Sequence, residues 1–153
     1  MQYWLFKTEP DAFSIDDLAS KPNQTEHWDG IRNYQARNFL RDKVQIGDCV
    51  FVYHSSCKNV GIVGIAEVVK GGYVDHTQFD PESRYFDPKS SLEKPRWYMV
   101  DIKLTRKFKR LIPLSEIKAD PFISELGLVK KGHRLSIMPV LESEASHLLK
   151  VAE

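Results

Sequence analysis

Only two cysteines occur among the 153 residues, Cys49 and Cys57. They form neither a CxxC nor an array with metal-ligand spacing, so no disulfide framework or zinc cluster organises the chain, although one bridge between them stays open at this level. A reducing cytosol is the simpler setting. The five histidines, at 27, 54, 76, 133 and 147, show no HxH, HxxxH or HExxH pattern, and a metal site is not expected. Net charge is only +1, which excludes a globally basic nucleic-acid binder; an anionic partner must meet a local patch. No basic n-region with a cleavage site opens the chain, and no apolar run approaches a membrane span. The expectation is therefore a soluble, cytoplasmic protein with no membrane partner. Repeats, low-complexity tracts and linkers are also missing. So are a nucleophile elbow and a glycine loop that could cradle phosphates. His54-Ser55-Ser56-Cys57 sets a base beside hydroxyls and a thiol, but sequence neighbours rarely face one another correctly, and catalysis is not expected from them. No cofactor is implied.

What is present is a chain of 42% hydrophobic and 28% charged residues, long enough to bury a core without staples. Its densest stretch is His27 to Phe39, which joins an aromatic, a carboxylate, two guanidiniums, two asparagines and a glycine. Asn33 suits an N-cap, and Ala36, Phe39, Leu40 and Val44 follow at helical spacing on one face. Arg37 and Arg41 share another. Gly30 permits a turn that clusters Trp28, Asp29 and Arg32 just before the helix. Trp28 offers a stacking surface, Asp29 an acceptor for an amino group, and Arg32 and Asn33 donors for a carbonyl or phosphate. The plainer alternative is a buried Trp with an Asp–Arg pair pinning a loop.

Along the chain, Tyr3 to Lys7 reads as a fully buried strand ended by Pro10, and Ser14 with Asp17 as a capping box for a short helix. Lys21 to Glu26 reads as a loop. Cys49 to His54 and Val60 to Val69 pair as a hairpin, with Gly61 and Gly64 permitting bulges. Lys70 to Lys94 lacks periodicity and reads as a long ordered loop anchored by Phe79, Tyr85 and Phe86. Trp97 to Leu104 alternates cleanly as a strand. Short helices are expected over 113–117 and 122–126, an edge strand at Leu135 to Met138 before Pro139, and a final amphipathic helix through Ala145 and Leu148. The fold class is α+β: one domain over 1–153, five or six mostly antiparallel strands curled into a small β-barrel with peripheral helices.

Such a barrel could converge Trp28, Tyr53 and Trp97 on one cavity, with Asp29, Asn33, His54 or Ser55 supplying hydrogen bonds. Stacking plus edge reading is how proteins hold a single extruded base. Candidate phosphate contacts are Arg37 and the run Arg106, Lys107, Lys109 and Arg110, which has no acid between Ile102 and Ser115. The run could equally be a solvated strand end.

Several motifs resemble the EVE domain family: Trp4-Leu5-Phe6-Lys7-Thr8-Glu9-Pro10, Trp28 to Asn38, the Gly47-Asp48 turn into Phe51-Val52-Tyr53-His54-Ser55, Phe79-Asp80, and Arg134 to Val140. The resemblance covers essentially the whole chain. It implies a PUA-like β-barrel, related to the YTH and ASCH domains, with a pocket for a modified base in nucleic acid, DNA or RNA, 5-modified cytosine in DNA being the leading ligand class. It places Trp28, Arg32, Asn33, Tyr53, His54, Ser55 and Trp97 at or near the pocket, with Lys7 and Ser136 on neighbouring strands. A tryptophan that many relatives carry near His147 is absent, which questions how the last helix packs. The basic extension of nuclear relatives is absent too, so the length resembles bacterial members; a eukaryotic protein would be nuclear. The expected function is non-catalytic reading of a modified base by a monomer. The alternatives are binding of structured RNA and a small hydrolase or RNA-modification-associated enzyme.

Overall fold

In a computed structural model covering residues 1–153, strand β1 (Tyr3–Thr8) lies between two apolar cores. Because side chains alternate along a strand, Trp4 and Phe6 enter one core and Leu5 the other, and all three are buried. Burial on both faces explains why this strand shows no polar alternation in sequence. Helix α1 (Ile15–Ser20) follows, then strand β2 (Thr25–His27) and helix α2 (Tyr34–Asn38). Next come strands β3 (Cys49–His54), β4 (Gly61–Val74) and β5 (Tyr98–Pro113), and helix α3 (Leu114–Ala119). Strand β6 (Ile137–Val140) and helix α4 (Glu142–Val151) complete the order.

The fold is α+β, with six strands in one mixed sheet ordered β2-β5-β4-β3-β1-β6. Its neighbours run antiparallel except β1 and β3, which are parallel. The expected barrel is not closed. The two edges are the shortest strands, three residues of β2 and four of β6, and Pro139 within β6 has no N–H to offer a further partner.

Local signals set several elements. Ser14 Oγ accepts from the Asp17 N–H at 3.0 Å and Asp17 returns the bond to Ser14 N–H at 2.8 Å, the capping box read from sequence. Asn33 caps α2 by accepting from Ala36 N–H at 3.0 Å. The helix then widens into a π turn over Phe39–Lys43, which still buries Leu40 and Val44. Gly72 lets β4 pass beneath that turn, since a Cβ there would sit 2.3 Å from the Leu40 carbonyl oxygen. A bulge breaks the β3–β4 register between Val52 and Tyr53 and the β4–β5 register between Ile62 and Gly64.

Other boundaries move. The stretch expected as a loop over Lys21 to Glu26 contains a 3₁₀ turn, Pro22–Gln24, and then β2, which pairs with β5. The long loop starts late, because β4 continues to Val74. It then holds a 3₁₀ turn over His76–Phe79. The basic run lies inside β5, not at a frayed end, with Phe108 buried between exposed cations. Residues 122–126 form no helix, because Asp120 accepts from the Phe122 N–H at 2.9 Å and turns the backbone. Both cysteines are free. Helix α4 docks without the missing tryptophan: His147 bonds Asp120 and its ring lies 5.0 Å from Phe122. No helix is long and apolar enough to cross a membrane.

Candidate base-binding cavity

Trp28 follows β2 and extends its pairing, donating its N–H to the Val100 carbonyl at 2.7 Å. The residue is only 6% exposed, its ring packed against Phe6 at 5.6 Å and edge-on against Phe13 at 5.9 Å. Beyond it, Gly30 takes φ +79°, and a Cβ there would lie 2.5 Å from the Tyr85 ring. A glycine is therefore required twice over, by its dihedral and by the aromatic seated on it.

Asp75 ties this turn to the segment after β4. Fully buried, it accepts from Gly30 N–H at 2.9 Å, Arg32 Nη1 at 3.1 Å and Thr77 N–H at 2.8 Å. Burial pushes its carboxyl up, but the bonds from Thr77, Gly30 and Arg32 outweigh that and hold it below the usual range. Arg32 spends its remaining donors on the Tyr85 carbonyl at 2.8 and 3.0 Å, Thr77 Oγ1 at 3.0 Å and the Ile31 carbonyl.

The result is an open cavity of about 590 Å³. Trp28, Phe13 and Tyr85 give it aromatic surfaces, the ends of β1 and β3 contribute Lys7, Thr8 and Ser55, and Ser136 approaches just before β6. Glu9, Glu26 and Asp29 face it as acids, Lys7 and Arg84 as bases. Burial raises the Asp29 carboxyl; His27, 3.4 Å away and also bonded to Glu26 at 2.9 Å, partly offsets this. Burial likewise lowers Lys7 below the ordinary ammonium range. The cavity thus offers flat apolar surface with both acceptors and donors, the requirements of a planar heterocycle with a polar edge.

Of the residues singled out from sequence, Lys7, Trp28, Asp29, Ser55 and Ser136 line the cavity, and Arg32, Asn33, Tyr53, His54 and Trp97 do not. Arg32 is consumed by Asp75 and the Tyr85 carbonyl, and Asn33 by the helix cap. Tyr53 belongs to the core on the other side of the sheet, where burial pushes its hydroxyl up to about 12. His54 accepts from the Ile15 N–H at 3.1 Å, so its free ring nitrogen serves the start of α1 and not Cys57. Trp97 is buried, donates to Asp87 at 2.7 Å and is stacked by Tyr34 at 4.8 Å. The expected convergence of Trp28, Tyr53 and Trp97 therefore does not occur.

Sequence reasoning missed Phe13, Glu9, Glu26, His27 and Arg84 as cavity residues. Phe13 had a signal, an aromatic directly before a helix cap, and Tyr85 was legible only as a loop anchor. The basic run is half neutralised: Lys107 pairs with Asp16 at 2.7 Å and Arg110 with Glu116 at 2.8 Å, acids distant from the run or beyond its end. Arg106 covers the Phe108 ring, and Lys109 is exposed. Arg37 donates to the Arg96 carbonyl at 2.7 Å and has no carboxylate partner. No group of three or more His, Cys, Asp or Glu side chains could hold a metal ion.

The family model of the EVE domain matches residues 2–151. Chicken thymocyte nuclear protein 1 is 45% identical over 167 residues, spanning 99% of this chain and 69% of that one. Among solved structures, a Pseudomonas syringae protein superposes with TM-score 0.94 at 46% identity, covering 99% of both chains. Human THYN1 protein, in a crystal structure with DNA containing 5-methylcytosine, superposes with TM-score 0.94 at 40% identity, covering 100% of this chain and 98% of that one.

Proposed function

The chain belongs to the EVE domain family, and on that premise we propose that it binds nucleic acid by receiving one extruded, modified base, with 5-modified cytosine in DNA the favoured ligand, in the cavity beside Trp28. The observation that carries this reading is the lining itself: the half-buried Phe13 and Tyr85, with Trp28 forming the cavity's aromatic floor, surround acceptors and donors within one open space of about 590 Å³. Cytosine presents an amino donor beside ring acceptors on its pairing edge. Asp29 and Lys7 complement that pattern, whereas a thymine or uracil carbonyl in the amino position would meet a carboxylate. The human relative's complex with DNA containing 5-methylcytosine supports the same ligand class. This reading is of a reader: it requires neither chemistry on the base nor a cofactor.

The test is a titration with matched oligonucleotides carrying cytosine, 5-methylcytosine, 5-hydroxymethylcytosine or N6-methyladenine at fixed salt. Trp28→Ala is a poor probe, because emptying a buried core position costs roughly 3–5 kcal/mol of stability by itself. Asp29→Asn keeps the shape and removes the charge. The expected result is a preference for a 5-modified cytosine, with affinity for the cytosine-family oligonucleotides falling by about tenfold or more in Asp29→Asn, the range of one good edge contact. Equal affinity for all four oligonucleotides, in the unsubstituted protein, overturns the reading.

A further inference from the structure

From the cavity lip outward, guanidinium groups and aromatic rings form one continuous row. Arg84 lies 5.1 Å from the Tyr85 ring, Arg32 sits 5.6 Å from Tyr85 and 5.4 Å from Trp97, Trp97 stacks on Tyr34 at 4.8 Å, and Arg37 lies 4.9 Å from Tyr34. Arg96 donates to the Tyr34 hydroxyl at 3.3 Å. We infer that this row is the track for the nucleic-acid strand flanking the base in the cavity, with Arg84, Arg96 and Arg37 meeting phosphates and Tyr34 stacking a neighbouring base. The inference rests on the base-binding reading of the cavity and extends it to the rest of the strand.

Three observations support the assignment. The row is continuous with the cavity, since Arg84 and Tyr85 line both. Its charge is available: no carboxylate lies in ion-pair contact with Arg84, Arg96 or Arg37, while on β5 both Lys107 and Arg110 are taken by acids. Arg32 is the exception, and its bond to buried Asp75 makes it the anchor of the row. Asp87 and Asp42 are nearby acids that bear on the row; Asp87 accepts from the Trp97 indole N–H and Asp42 is paired with Arg41. Finally, Tyr34 is 51% exposed although Trp97 stacks on its ring and the Arg37 guanidinium lies over it at 4.9 Å, so a base takes a place on the ring as Arg37 swings out to a phosphate. A fixed ring with cations on both sides suits a strand, whose bases stack while its phosphates pair.

The experiment measures anisotropy of a fluorescent single-stranded 12-mer carrying one 5-methylcytosine, across a salt series, beside calorimetry with 5-methyl-2′-deoxycytidine alone. Arg37→Gln with Arg96→Gln should flatten the slope of log affinity against log salt by about 1.4, roughly 0.7 for each lost single-strand phosphate contact. Tyr34→Ala should weaken the 12-mer by about tenfold at every salt concentration. Nucleoside affinity should be unchanged in all three substitutions, which separates the track from the cavity. A slope that stays steep in the arginine variant but falls in Lys107→Gln with Arg110→Gln moves the strand to β5 and overturns the inference. So does a 12-mer that fails to bind at low salt. If the salt slope flattens as expected but cytosine and 5-methylcytosine bind equally, the track stands and the base-reading proposal fails.

Discussion

Arg32 and Arg110 each hold a carboxylate at about the same distance, 3.1 Å to Asp75 and 2.8 Å to Glu116, yet they belong to different kinds of structure. Asp75 is buried and receives bonds from three residues, Gly30 and Arg32 in one turn and Thr77 in its own segment, joining the turn at Gly30 to the segment carrying Tyr85. Glu116 and Arg110 are both in solvent, where water screens the pair and each long side chain gives up rotamer freedom to form it. The first pair shapes a cavity wall. The second occupies charges that would otherwise make β5 an anionic partner's landing site. Burial, not distance, separates the two roles.

Substitutions can break this contrast in order of burial. Asp75→Ala should have the largest effect, destabilising by roughly 3–5 kcal/mol in urea unfolding, because it strands the Arg32 charge and leaves two N–H groups without their acceptor. Since the folded carboxyl titrates below its unfolded value, its contribution is present above about pH 3.9 and is lost as pH falls through the lower folded value. An Asp75→Ala protein as stable as the parent would show that the cavity wall does not depend on this hub.

His54 is the intermediate case, half buried and accepting from the Ile15 N–H. Burial lowers its folded value below 6.5, so the neutral ring's contribution is present above about pH 6.5 and is lost as pH falls through the lower folded value. His54→Gln replaces the acceptor with one that does not titrate. Its stability should therefore fall less between neutrality and pH 5 than the parent's, by about 0.5–1.5 kcal/mol, the range of one hydrogen bond. Equal pH slopes for the two proteins would remove His54 from the account. At the exposed end, Arg110→Gln should leave the unfolding midpoint where it was, and a clear loss would mean that the β5 pair is structural after all.

Much of the fold was legible because its causes are local. The Ser14–Asp17 box, the Asn33 cap and the edge character of β6 at Pro139 each depend on residues within a few positions of one another. The burial of β1 was equally plain from Tyr3 to Lys7. The ends of β4 and β5 were hidden for the opposite reason. Glycines and cations argue against strand locally, and only cross-strand pairs such as Lys70 with Asp101 and Gly64 with Lys107 carry the ladder through them. The candidate site divides along the same line. Trp28, Asp29 and Ser55 declared themselves as aromatic, acceptor and hydroxyl in informative surroundings, and they reach the cavity. Tyr53 carried the same promise, but Tyr53 packs with Leu5 in the opposite core.

By itself, the amino-acid sequence determined the α+β class, the family and the individual caps, turns and buried strands, because each is encoded in short-range chemistry or in a motif read along the chain. Only the tertiary structure decided that the sheet stays open, that Trp97 serves Asp87 and Tyr34 instead of the cavity, and that the charges of Lys107 and Arg110 are already paired. The cavity joins Lys7, Phe13, Trp28, Ser55, Tyr85 and Ser136. Which side chains meet across such separations follows from strand order, register and the side of the sheet each one takes, and these emerge only when the whole chain packs.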